Sequence, residues 1–326
     1  MPTAANARLD YEAAQTLLPM AQLIDSGDHQ TFTSGADLWS QRAGYTPVIR
    51  PNGLLTGGLI SPSSNQDDQI DVAALTVQLQ GLVLPVAGTV GIPVTRGIGA
   101  DTHIINSLTV NAAGTVNVLI GEEGTSFTEA RGAAGGAPFI PVDSVEIGQI
   151  RLTETDSATV NLPEIFQKPG IHQERANFPG FTANPLLGEL TFVAPLPLSH
   201  VGGLPKAIYA EVYEPEFAEV DLASSFVPPE TTHSVSSTQV YGRAVGASSS
   251  SLNQGSFKAL LEDGVTDPLV LLKNEVLFFR FYPDQNKSAH LLCFGTLGLA
   301  RQFPADNHIE GSFTVSAPYA AVERES

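Results

Sequence analysis

The chain has 326 residues, enough for one large domain or two of ordinary size, and 42% of them are hydrophobic. Sixteen Lys and Arg face 34 Asp and Glu, a formal charge of −18, which excludes a grip on nucleic acid built from cationic side chains. A single cysteine, Cys293, excludes an intrachain disulfide framework and any multi-cysteine metal site.

Charged residues make up only 15%, against roughly 25% in an ordinary soluble domain. A compact monomer of 34.3 kDa exposes about 13,000 Å² by mass scaling. Fifty charges over that area is sparse, so other subunits are expected to cover part of the surface. The acidic excess is spread along the chain and forms no tail: residues 1–176 hold 8 basic and 18 acidic groups, and residues 177–326 hold 8 and 16.

The N-terminal MPTAANARLDYEAAQ has neither the basic start nor the apolar stretch of an export signal. Folding in a reducing cytoplasm is the resulting expectation. Asp10 reads as the cap of a helix running through Glu12, Ala13, Ala14, Leu17 and Leu18 to the neighbourhood of Pro19. The longest uncharged run, 72–95, contains Gln78, Gln80, Pro85 and Pro93, a poor membrane helix and a reasonable pair of strands. Within it Leu75, Val77 and Leu79 alternate with Thr76, Gln78 and Gln80, the period of a half-buried strand.

Residues 115–120 repeat that character up to Gly121. In 145–152 the apolar parity switches at Gly148, from Val145 and Ile147 to Ile150 and Leu152, which predicts a bulge. Further strands are expected at 208–212, 276–282, 291–294 and 313–315. The serine run at 247–256 reads as a flexible loop, and 256–264 as a short helix between an N-cap serine and a terminal glycine. The chain therefore reads as mainly β with one or two short helices.

An internal repeat organises these elements. Residues 100–112 read ADTHIINSLTVNA and 305–317 read ADNHIEGSFTVSA, with eight of 13 positions identical. Upstream, Gly88-Thr-Val-Gly-Ile92 matches Gly295-Thr-Leu-Gly-Leu299, and apolar strands at 75–79 and 277–281 occupy corresponding places. Two copies about 205 residues apart fit tandem β-sandwich or barrel-like domains better than a solenoid. The boundary is expected in the Pro/Gly-rich stretch from Lys168 to Gly180, giving domains at 1–175 and 176–326. Residues 113–155 then form an inserted long hairpin or loop in the first domain.

Catalytic motifs are absent from the sequence. No P-loop, G-x-G-x-x-G, H-E-x-x-H or G-x-S-x-G occurs. Asp101/His103 and Asp306/His308 could ligate a metal or orient a base. Their matching positions in the repeat favour an inherited structural role. Glu211, Glu214, Glu216, Glu219 and Asp221 lack a calcium-loop register and read as a solvated acidic face. His172, Glu174, Arg175 and Trp39 read as packing or surface residues. No catalytic, cofactor-binding or metal residue is assigned.

Three stretches carry a resemblance to a known family: 295–316, read as closing strands; Phe278-Phe-Arg-Phe-Tyr-Pro283 before them; and Ala137-Pro-Phe-Ile-Pro-Val-Asp-Ser-Val145. Together with the duplication, the chain resembles the tail tube (major tail) proteins of bacteriophages with long non-contractile tails. The resemblance covers about 50 residues closely.

It implies a virion protein, assembled in the host cytoplasm, with two tandem tail-tube domains. Rings of such subunits, trimers of pseudo-sixfold symmetry here, would stack into a tube whose acidic lumen passes double-stranded DNA without binding it. The implied partners are further copies of the chain and the tail terminator, tail tip and tape measure proteins, with no membrane and no cofactor. Loops at 121–138 and 246–255 would suit contacts between rings. The alternatives are a capsid decoration, baseplate or receptor-binding component, and a metal-dependent β-sandwich hydrolase using an Asp–His pair.

Overall fold

The computed structural model describes residues 6–64, 66–99, 102–153, 156–167, 180–196, 198, 207–241 and 243–325. The fold is mainly β, with antiparallel pairing throughout the described ladders. Its helical content among those residues is the four-residue Pro268–Leu271 and the 3₁₀ turn Leu162–Glu164.

The largest sheet has nine strands. Along its path lie Ala223–Val227, Gly255–Leu261, Ile309–Ser316, His290–Gln302, Val276–Tyr282, Arg8–Gln22, Ile208–Glu219 and Val48–Pro51, with Val322–Arg324 paired to His290–Gln302 off that path. One face carries an aromatic core of Leu9, Tyr11, Phe257, Leu277, Phe279 and Phe313. Phe257 and Phe313 sit opposite each other in register, and their rings stack at 4.8 Å. The other face packs Phe278, Leu292 and Phe294 against Leu38 and Leu186, and its Ile208, Ala210 and Val212 against Trp39, Phe32 and Phe192. Phe32 and Phe192 belong to a small sheet of Phe181–Asn184, Glu189–Phe192, Thr31–Thr33 and Ile24–Asp25.

A separate core is built from residues 54–165 alone, including Ile70, Val77, Ile104, Leu108, Val145 and Ile150. Three small sheets enclose it: Thr89–Pro93 with Gln69–Val72 and Ile60–Pro62; Gly53–Gly57 with Leu75–Leu79 and Leu82–Val86; and Val116–Ile120 with Ile104–Asn111, Ser144–Leu152 and Ile165–Phe166. This sandwich-like body lies in sequence between two halves of the larger one.

That arrangement corrects the boundary expected at 175/176. Residues 8–51 belong with 181–325, because Arg8–Gln22 is hydrogen-bonded to Ile208–Glu219 on one side and Val276–Tyr282 on the other. Most of the Pro/Gly-rich stretch taken as the boundary, together with His172, Glu174 and Arg175, lies outside the described residues. The repeated segments also pair differently. Val276–Tyr282, His290–Gln302 and Ile309–Ser316 form a consecutive meander, whereas Leu75–Leu79, Thr89–Pro93 and Ile104–Asn111 fall in three different sheets. A two-residue turn at Gln80 and Gly81, both at positive φ, folds Leu82–Val86 back onto Leu75–Leu79 and takes the edge that the second copy gives to its next strand.

Three local expectations are also corrected. Arg8–Gln22 is a central strand in place of the helix capped by Asp10. Its Ala, Glu, Gln and Leu favour a helix intrinsically, but the ladder to Ile208–Glu219 along its length, with a second ladder at Arg8–Tyr11 and burial of residues 9–12, overrides that preference. Pro19 falls where the register slips between Leu18 and Ala21, so its missing N–H interrupts no regular pairing. The 256–264 segment is the strand Gly255–Leu261, with Phe257 and Ala259 buried and Lys258 and Leu260 outward, a period of two. The serine-rich 247–252 is likewise strand.

Glu12 is fully buried inside this framework. Its carboxylate accepts hydrogen bonds from Gln15 Nε2 at 2.7 Å, Ser40 Oγ at 2.5 Å and the backbone N–H of Phe278 at 3.1 Å. The bond from Phe278 comes just where backbone pairing between the two strands ends, after Tyr11 and Phe279. Cys293 is buried in the aromatic core, and burial pushes its thiol up to about 12.

Two predictions follow from this division. Residues 176–326 expressed alone should show no cooperative urea transition by circular dichroism, since their sheet lacks Arg8–Gln22, while residues 52–167 alone should show one. In the native full chain, Cys293 should stay unreactive toward a thiol-specific chromogenic disulfide at pH 8 and react at once in denaturant.

Candidate assembly surface

The two Asp-x-His units have different surroundings. Ile104–Asn111 and Ile309–Ser316 both begin one residue after their histidine. His103 packs edge-on against Phe127 at 4.7 Å, and its Nδ1 is buried without a hydrogen-bond partner. Its companion Asp101 lies outside the described residues. Asp306 and His308 are both exposed. No group of three or more His, Cys, Asp or Glu side chains among the described residues is placed to hold a metal ion.

The 113–155 segment is no free arm. Ser144–Leu152 is buried along all nine residues. The bulge expected at Gly148 is present, with Leu108 opposite Gly148 and Thr109 opposite Glu146. A Cβ at Gly148 would lie 2.3 Å from Ile60 Cδ1, so a larger residue here would displace the end of that side chain. Val145, Ile147, Ile150 and Leu152 face the apolar core, while the bulge sets Glu146, Gln149 and Arg151 on the opposite face.

Segment 121–138 folds over that polar face. Arg131 pairs with Glu146 and donates to the Pro138 carbonyl at 2.8 Å. Arg151 forks onto Glu129 at 2.9 and 3.1 Å and lies over the Phe166 ring at 4.4 Å. Of the hairpin or loop expected within 113–155, segment 121–138 takes the form of a compact loop that is tied down. Alternation of polar and apolar residues along this strand is the pattern of a half-solvated one, so the covering of its polar face was not legible in the sequence.

The second loop of interest behaves oppositely. Thr231–Val240 and Arg243–Leu252 form an isolated two-stranded ribbon with ten consecutive cross-strand pairs, about 34 Å long at 3.4 Å per residue. It continues the hairpin made by Ala223–Val227 and Gly255–Leu261 at one edge of the nine-stranded sheet. Its base is fastened by Asn253 N–H to the Glu230 carbonyl at 3.0 Å and Ala321 N–H to the Pro229 carbonyl at 2.7 Å. Beyond the base, residues 231–237, Tyr241 and 248–251 are all exposed.

Hydroxyl pairs run along one face, Thr232 with Ser251 at 3.1 Å and Ser234 with Ser249 at 2.7 Å. None of the ribbon's described side chains is buried. Ordering each residue costs about 1–2 kcal/mol of backbone entropy, and a lone two-stranded ribbon in water is marginal at best.

At the opposite end of the Ala223–Val227/Gly255–Leu261 hairpin lies a cleft of about 810 Å³, lined by Tyr11, 219–222, 259–262, 267–269 and His308. It holds the carboxylates Glu219, Asp221, Glu262 and Asp267 beside the exposed Leu222 and Leu260. Burial, and then the charge of Asp221, push the Tyr11 phenol up. Leu222 stands 71% exposed at φ +51°, a strained position for a residue with a Cβ.

The acidic cluster read as a solvated face begins on the central strand Ile208–Glu219, where Glu211 and Glu214 are half-buried and Glu216 and Glu219 exposed, and ends at the exposed Asp221 on the cleft. Altogether, 26 large hydrophobic side chains are exposed among the described residues, including Ile98, Val193, Leu222, Val235 and Tyr241.

Removing Glu146 leaves the Arg131 guanidinium partly buried without its carboxylate. Glu146→Ala should lower the unfolding free energy of the smaller body by about 3 kcal/mol, read from its urea midpoint, and should open 121–138 to limited proteolysis. Compared with known proteins, the chain matches no family model, no curated protein and no solved structure.

Proposed function

We propose that the chain is a self-assembling structural subunit of a virion, a tail tube protein whose rings stack into a conduit for DNA. The observation that carries this reading is the surface. Large apolar side chains are exposed in number on a protein of sparse charge, and a bare β-ribbon projects from the edge of its main sheet. Such a surface suits burial between subunits.

Support for a tube, among assemblies, comes from the stretches that carry the family resemblance. Phe278–Pro283 and 295–316 fall largely in three neighbouring antiparallel strands of the nine-stranded sheet. Sheets with open edges join laterally into a closed wall when subunits form a ring, and closure removes every exposed edge. The net charge of −18 suits a wall that repels phosphate along the whole passage, so that DNA moves without being held.

Electron microscopy of the purified protein tests this directly. Hollow stacked rings with threefold symmetry and an acidic channel wall are expected. Compact monomers at every concentration would refute the assembly reading, and a net basic wall would refute the role of the charge.

A further inference from the structure

We propose that the tip of the ribbon, around Tyr241 and Arg243, docks into the acidic cleft of a second copy placed head to tail along the same strand axis. This deepens the reading of the chain as a self-assembling subunit and rests on it. Three observations lead there.

The first is polarity. The ribbon and the cleft lie at opposite ends of one antiparallel hairpin. From Leu222 and Leu260 at the cleft, the paired residues run through Ala223/Ala259 and Val227/Ser256 to Thr231/Leu252, and on to the tip. An arm at one end and a receptor at the other make a heterologous contact. Repeated by translation along the axis, it gives an open stack and no closed dimer.

Charge supplies the second. The arm, residues 231–252, holds none of the chain's 34 carboxylates, and its one Lys or Arg is Arg243. The cleft holds Glu219, Asp221, Glu262 and Asp267. Two bodies of charge −18 repel at long range, so contact between them is least opposed where one partner brings only cations.

The third is the chemistry of the contact itself. Tyr and Arg are the residue types that most often anchor protein interfaces. Tyr241 is fully exposed at the tip, and the cleft offers exposed Leu222 and Leu260 among its carboxylates.

The test uses full-length protein in five forms: the natural chain, Arg243→Glu, Asp221→Arg, the double variant Arg243→Glu/Asp221→Arg, and a chain with 231–252 replaced by Gly-Gly. Sedimentation velocity and electron microscopy report stacking, and Trp39 fluorescence in urea reports folding of the larger body. Each single charge reversal should raise the concentration needed for stacking by about tenfold or more. The double variant should recover most of that loss, and the excised chain should fold normally without stacking.

The proposal is overturned if the excised chain stacks like the natural one, or if both single variants stack normally. It also fails if the double variant recovers nothing while all four variants fold. Closed rings of the natural chain that never stack would overturn the docking and leave the self-assembling subunit intact. A natural chain that stays monomeric at all concentrations would overturn both. Hydrogen exchange separates one more case: ribbon amides protected in the monomer would place the arm on its own copy and refute the proposal.

Discussion

The larger body depends on one strand near the start of the chain being held between two strands from its later half. Arg8–Gln22 is paired to Ile208–Glu219 and to Val276–Tyr282, so the nine-stranded sheet cannot be continuous without it. Where its pairing with Val276–Tyr282 stops, the Glu12 carboxylate takes over, accepting the N–H of Phe278 that the ladder leaves free. A buried carboxylate is costly unless every oxygen is occupied, and here Gln15, Ser40 and Phe278 supply the donors. The same group ties the strand to the segment holding Ser40 and Trp39, and through it to the core beneath the opposite face.

This constraint shapes the whole chain. Because the two ends of the sequence share one sheet, the sandwich of residues 53–167 is an insertion that leaves and re-enters the larger body. Its contact with that body is narrow and local. Gly81 packs against Met20, Arg50 reaches the Gly81 carbonyl, and Asn52 receives the N–H of Gln80. The smaller body closes its own core and covers its remaining polar face with the 121–138 loop, held by two arginines. The larger body keeps an uncovered ribbon and cleft at the two ends of one hairpin. Both ends of the proposed docking contact therefore lie on the larger body.

Several features were legible in the sequence because they follow from local chemistry. Alternation at 75–79 and the β-rich runs at 276–282 and 291–294 marked strands that the structure contains. The parity switch at Gly148 marked a bulge, since a side-chain period of two can shift face only by inserting a residue. The ribbon was misread as a loop because its serines carry no alternation. Both of its faces meet solvent, so the pattern that betrays a strand was never written. Of the cleft, the sequence singled out Glu219 and Asp221, in the acidic cluster, and His308, but not that they meet, as the lining comes from separate segments around Tyr11, Asp221, Leu260 and Asp267.

The sequence by itself determined the fold class, the turns and the acidic, sparsely charged surface, all of which are sums or short-range patterns of residues. It also carried a duplicated motif whose two strands begin at equivalent positions, Ile104 and Ile309. Only the tertiary structure decided which strands pair. A helix-prone segment became the middle of a sheet, two similar motifs took different neighbours, and a boundary expected at 175 gave way to an insertion. Pairing is chosen by competition among edges far apart in the chain. Local propensity, worth tenths of a kcal/mol per residue, yields to a long ladder anchored at one end by a second ladder and a buried stretch.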